Sequence, residues 1–417
     1  MRSFLLRALR AQPHELPAIA WSFAYFFLVL SSYYVLRPLR DTFGVALGRE
    51  EVQRLFTLTF FVMLALTPLF GWLCVRLSRA RLLPVVYAFF ALNLLLFSLQ
   101  LEPRVFYVWV SVFNLFVVSV FWSFMSDLFS TEQSSRVYGA VAAGGSCGAL
   151  AGPLLTRELI GTLGDTGLLV LAAILLLLAV PCIVMLGRWA RAHPRAGDPP
   201  AEQPIGGSII AGARAALSSR YLLAICAYLF CYTVLSTALY LQQLEIVPRV
   251  IPDRTGQTRL FAGIDFTVNA LTLLVQLFAF ARLTRWLGPS LMLALMPLVS
   301  LAGFAWLGAA PTLTALVVFG VTRRVGEFAI SKPAREALFT VVSREERYKA
   351  KNFIDTVVYR GGDVFSIWAF GALTAAAAAA ATGVALAWTA VAFYLGSRIR
   401  GWSPAAAPSS SPASRHS

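Results

Sequence analysis

A chain of 417 residues that is 58% apolar and only 13% charged, with mean hydropathy +0.72, cannot be dissolved by water. Soluble domains run at about 45–50% apolar and ~25% charged, so a lipid bilayer is the expected partner. The formal net charge of +15 then reads as basic loops at one membrane face and not as a nucleic-acid footprint.

Crossing a ~30 Å hydrocarbon layer takes about 20 apolar residues. Such windows recur twelve times, near 17–37, 53–75, 82–101, 104–127, 135–156 and 166–187, then 220–245, 259–281, 289–308, 311–331, 352–378 and 382–397. Connections are short except one. Residues 188–219 are rich in Pro, Gly and charge and read as a linker. The expected organisation is an N-terminal six-helix half over 1–190, a cytoplasmic linker over 191–219, a C-terminal half over 220–400 and a tail over 401–417.

With both termini in the cytoplasm, the inner loops and termini hold 21 Lys and Arg and the outer loops hold 9. That asymmetry obeys the positive-inside rule. The basic segment over residues 1–10 lacks a small-residue cleavage site after the apolar run that follows, so the first span is read as retained. A multi-pass protein of a bacterial inner membrane is expected.

The two halves echo each other. Arg76-Leu-Ser-Arg79 after the second span matches Arg282-Leu-Thr-Arg285 after the eighth, and Asp127 before Arg136 corresponds to Glu336 before Arg347. Two parallel six-helix repeats make an all-α integral membrane fold that resembles the major facilitator architecture. The basic loop after the second span, with Gly71, is similar to that superfamily's loop motif.

Three spans carry charges that a bilayer penalises by ~2.5–3.5 kcal/mol each at mid-depth. The first ends with Tyr34, Arg37, Pro38, Arg40 and Asp41; either it stops there, leaving the charges at the interface, or it continues toward Val45 and turns them into a cavity. The tenth must run on past Gly326 to span the layer, which takes Arg323, Arg324 and Glu327 with it. Arg323 and Glu327, spaced i,i+4, are expected to pair. The eleventh contains Asp355, Arg360 and Asp363, with Gly361 and Gly362 between the last two. Arginines outnumber acids in these segments, and their planar fork suits phosphate or carboxylate. An anionic substrate follows, with Tyr34 and Trp122 as stacking or hydrogen-bonding surface.

In the fifth span Gly144, Gly148 and Gly152 form one ridge that permits close helix approach. The Gly148 to Pro153 portion also resembles the fifth-helix motif of major facilitator antiporters. The five cysteines lie in apolar runs, and His14, His193 and His416 lie outside the spans, so neither metal, cofactor nor catalytic site is expected.

Two stretches resemble the nucleotide (ATP/ADP) translocase family. Leu36-Arg37-Pro38-Leu39-Arg40-Asp41 is similar to its first-helix pattern. Arg335-Glu336, then Glu346 through Lys349, Lys351 and Asp355, then Arg360-Gly361, is similar to its tenth-to-eleventh-helix segment. The resemblance implies ATP/ADP antiport with Arg40, Lys349, Lys351 and Arg360 as phosphate or gating groups. Asp127, Arg136, Asp355 and Asp363 are the other coupling or gating candidates. A proton-coupled carrier titrating at Asp127, Glu327 or Asp355 stays open, as does a non-transporting sensor or scaffold. A monomer is expected.

Overall fold

The computed structural model describes residues 12–76, 79–193, 214, 217, 219–339, 353–372 and 377–398. Leu16–Arg76 is broken at Gly48 into α1 (16–47) and α2 (49–76). Next come α3 (Arg79–Leu99) and α4 (Pro103–Leu128). Thr131–Ala192 is broken at Gly164 into α5 (131–163) and α6 (165–192). In the second half, α7 is Arg220–Val250. Arg254–Leu274, a π turn Val275–Ala279 and Phe280–Ala309 make α8 (254–287) and α9 (289–309), divided at Gly288. Leu313–Gly326, the π turn Glu327–Ser331 and Lys332–Leu338 together form α10 (313–338). The π turn Ile354–Val358 leads into Tyr359–Ala372 as α11, and Ala377–Arg398 is α12.

The described residues thus form twelve helical segments without a strand. Counted without dividing at Gly48 and Gly164, seven helices among them are long and apolar enough to cross a membrane. Neither α10 nor α11 is in that group; these are the helices carrying Arg323, Arg324, Arg360 and Asp363. At its far end α6 runs to Ala192, into the stretch read as linker.

Local chemistry sets the helix ends. Gly48 has φ +79° and ψ 174°, a region open essentially to glycine alone, so the chain reverses there without a longer loop. Ser130 and Gln133 form a reciprocal capping box at the start of α5. The Asp253 carboxylate accepts from Gly256 N at α8, and Thr312 Oγ1 accepts from Ala315 N at α10.

Lipid tails are as apolar as leucine, so helices associate in a bilayer through close packing and not through the hydrophobic effect. Gly144, Gly148 and Gly152 show how. A Cβ on them would collide with the backbone of α1 at Phe23, Phe27 and Ser31 respectively. One buried core, including Val29, Leu36, Phe113, Phe121 and Leu176, lies in the first half. A second, including Leu235, Met292, Phe319 and Trp388, lies in the second half and takes in Val45, Val52 and Tyr107 from the first.

Candidate functional site

Charged side chains inside apolar helices need water, a partner or a ligand, and here they converge. A cavity of about 330 Å³ lies between the halves, lined by Arg37, Arg40 and Asp41 of α1, Arg323 and Arg324 of α10, and Arg360 and Asp363 of α11. Of the two readings of the first span the structure has the longer, since α1 continues past Pro38 to Gly48. Arg37 is therefore eleven residues, or roughly 16 Å, from that helix end.

Each arginine is held differently. Arg324 donates to Asp265 Oδ1 at 2.6 Å, and Arg37 Nε stands 3.6 Å from Asp265 Oδ2. One acid of α8, with a side chain only 2% exposed, thus serves a cation from each half. Arg40 pairs with its neighbour Asp41 at 2.9 Å, and its guanidinium lies 5.4 Å from the centroid of the Tyr107 ring. Arg360 is 4.0 Å from Asp363, which accepts from Thr237 at 3.4 Å.

Arg323 is the exception. Its guanidinium donates to Ser236 Oγ at 3.2 Å and to the Tyr232 carbonyl at 2.9 Å, and lies 4.8 Å from the Tyr232 ring centroid. The expected i,i+4 pair with Glu327 is absent. Glu327 faces Arg335 instead, at 3.6 Å. The backbone between them is regular helix, since Glu327 N donates to the Arg323 carbonyl, so it is the side chains that part: Arg323 turns to α7 and Glu327 to Arg335.

Other sequence candidates lie elsewhere. Trp122 packs edge-on against Phe26, Phe121 and Tyr138 within the first half and is not among the residues that line the cavity. Aromatic content alone could not separate a core ring from a wall ring. Glu327 is buried behind the wall. Tyr34 stands beside Arg37 and donates to Asn269 Oδ1 at 3.4 Å. Arg136 belongs to another cluster, with Glu15 at 3.2 Å and Glu132 at 2.7 Å. Asp127 is exposed near the end of α4. Lys349, Lys351 and the side chain of Asp355 fall outside the described residues.

Asp265 is not among the site residues expected from the sequence, although its place in an otherwise apolar stretch of α8 was the signal. Nor is the polar wall of α7, Ser236, Thr237, Tyr240 and Gln243.

Contacts that join the halves gather toward one end of the bundle. Thr42 and Thr258 share a hydrogen bond of 2.9 Å, as do Tyr107 and Tyr240. Arg254 reaches Asp165 at 3.0 Å, and Arg49 contacts Glu245 and the Phe370 carbonyl. Toward the other end Glu15–Arg136, Trp189–His14, Glu327–Arg335 and Tyr221–Leu338 each stay within one half.

The family model described as Major Facilitator Superfamily matches residues 18–362. No curated protein matches the sequence. Among solved structures, an auto-inhibited peptide transporter of the POT family is similar at TM-score 0.63 and 14% identity, covering 92% of this chain and 97% of that one. The nucleoside transporter NupG is similar at TM-score 0.60 and 12% identity, covering 92% and 98%. A bacterial homolog of the human lysosomal transporter Spinster has TM-score 0.58 and 14% identity, over 92% and 95%. At these identities the likeness is one of fold.

Proposed function

This chain belongs to the Major Facilitator Superfamily as a secondary transporter, and on that premise we propose that its cavity carries an anionic metabolite, with exchange of ATP against ADP as the specific reading. The observation that carries the anion is a charge imbalance. Five arginines (Arg37, Arg40, Arg323, Arg324 and Arg360) surround the cavity against three acids, Asp41, Asp265 and Asp363. Arg323, 3% exposed, donates to neutral oxygens among the described residues, and the buried Glu327 carboxylate that acts on it from the same helix is shared with Arg335. A cation only partly compensated at that depth is costly, and a guest anion lowers the cost.

The arrangement supports alternating access. Asp265 holds Arg37 and Arg324 together. An arriving phosphate or carboxylate takes over the two guanidiniums by bidentate contact, which loosens the Arg37–Asp265 bridge between the halves. Loss of the anion restores the bridge. From loop charge we read both termini as lying in the cytoplasm of a bacterium, which would put the shared-contact end of the bundle outermost. We assign the exchange of nucleotides on the likeness of the Arg37–Asp41 and Arg335–Gly361 stretches to nucleotide translocases.

The test is reconstitution in liposomes. Labelled ATP is expected to enter only when the vesicles are preloaded with ATP or ADP. Arg40→Ala and Arg360→Ala should lose uptake while the protein still reaches the membrane. Uptake independent of internal nucleotide refutes exchange, and normal uptake by both variants refutes the arginine site.

A further inference from the structure

The charges that line the cavity come from three helices, α1, α10 and α11, whereas every residue that α2, α4 and α7 add to its wall is uncharged. Along α10 the charges are also confined to one end. The helices α7 and α10 run antiparallel, since Tyr221 donates to the Leu338 carbonyl and Ser236 accepts from Arg323. Gln243 and Leu316 line the cavity seven residues from that second pair, roughly 10 Å further toward the end where the halves are joined. There the wall is aromatic and neutral.

Three rings stand at that end: Phe56 of α2, Tyr107 of α4 and Tyr240 of α7. The Phe56 centroid is 5.7 Å from that of Tyr240 and 6.4 Å from that of Tyr107, with the planes tilted by 37° and 40°, so neither tyrosine stacks on Phe56. The two tyrosine hydroxyls share a hydrogen bond of 2.9 Å, and a Cβ on Gly44 of α1 would come within 2.6 Å of the Tyr240 hydroxyl. Both rings are thus seated before a ligand arrives, which lowers the cost of binding one. Phe56, Tyr240 and Gln243 are half-buried along the cavity. Arg40, 5.4 Å from the Tyr107 centroid, marks the border with the charged end.

We propose that this end is a binding site for a planar, uncharged heterocycle, so that the anion taken by the cavity is one that carries such a ring. Aromatic side chains stack on any base face. The Gln243 amide offers a donor and an acceptor side by side, the complement of a base edge. A nucleobase has both the face and the edge; a ringless phosphate or carboxylate has neither. The ring lies toward the joined end and leaves the phosphates among the arginines. That the ring belongs to an anion rests on the anionic reading of the cavity; the ring site itself does not.

The experiment is equilibrium binding of ATP, tripolyphosphate and adenosine to the full chain in lipid nanodiscs. Phe56→Ala should weaken ATP about tenfold and leave tripolyphosphate unchanged. Gln243→Leu should act in the same direction and serves if the alanine variant does not fold. ATP affinity unmoved by both variants, or ATP and tripolyphosphate weakened alike, overturns the ring site and leaves the anionic reading standing. If tripolyphosphate does not bind the wild type, adenosine decides. Adenosine bound by the wild type and lost in Phe56→Ala upholds the ring site while the anionic reading falls, and no binding of adenosine overturns both.

Discussion

Arg37 and Asp265 stand 3.6 Å apart across the seam between the two halves, and the same carboxylate also accepts from Arg324 at 2.6 Å. Breaking a buried ion pair by removing one partner costs about 3–5 kcal/mol, mostly because a charge is left behind. Asp265→Asn is therefore expected to lower stability by about that much. Arg37→Gln in the same chain should restore part of the loss, because the two sites couple. Thermal unfolding of both single variants and the double variant in detergent measures the coupling; strictly additive losses would show that the bridge carries none.

Arg323 offers a different test, since its described hydrogen-bond partners are neutral. Arg323→Lys keeps the charge and loses the fork. Anion affinity should fall about tenfold, the equivalent of about 1.4 kcal/mol, with little change in the unfolding temperature. Equilibrium binding of ATP to the purified protein reads the first effect, and a melting curve reads the second.

Thr42 and Thr258 meet oxygen to oxygen at 2.9 Å, one from each half. Replacing both with cysteine and oxidising should tie the halves together and stop transport. Reductant should restore it. Each single replacement should transport whether oxidised or reduced, and uptake by the oxidised double variant would mean that this seam does not open.

At the start of α1 Glu15 has a side chain only 1% exposed. Burial alone would raise its pKa, but bonds from the Gln12 backbone, Gln133 and Arg136 outweigh that and hold the carboxyl below its usual range. A depressed pKa stabilises the folded chain above the unfolded value of about 4.3, and the stabilisation is lost as pH falls through the folded value. The unfolding midpoint should hold steady from neutral pH to about 5 and drop below about 4. Glu15→Gln should flatten that drop.

Much of this was legible in the chain itself, for a physical reason. Arg37, Arg323 and Arg360 interrupt apolar runs, and a bilayer makes each interruption costly enough to demand an explanation. The glycine ridge of α5 was legible because only small residues permit backbone contact. What could not be read was partnership. Asp265 sits 228 residues from Arg37 and 59 from Arg324, and no local spacing links them. Glu327 was paired with Arg323 because regular helix spacing permits it, but each side chain has partners from beyond that spacing, Ser236 and the Tyr232 carbonyl for Arg323 and Arg335 for Glu327. Trp122 looked like a wall residue because rings of the core and rings of a cavity share one composition.

The described π turns lie at Val275–Ala279, Glu327–Ser331 and Ile354–Val358, all in the second half. Each stores one surplus residue. Expelling it would screw the rest of that helix round by about 100°, carrying whatever side chains lie beyond it out of one groove and into the next. Gln276 in the first of these turns already donates to the Phe328 carbonyl in the second, so rewinding one would tug on the other. The second half thus holds slack beside the arginines of α10 and α11, and releasing it would turn side chains without unfolding the helices that bear them.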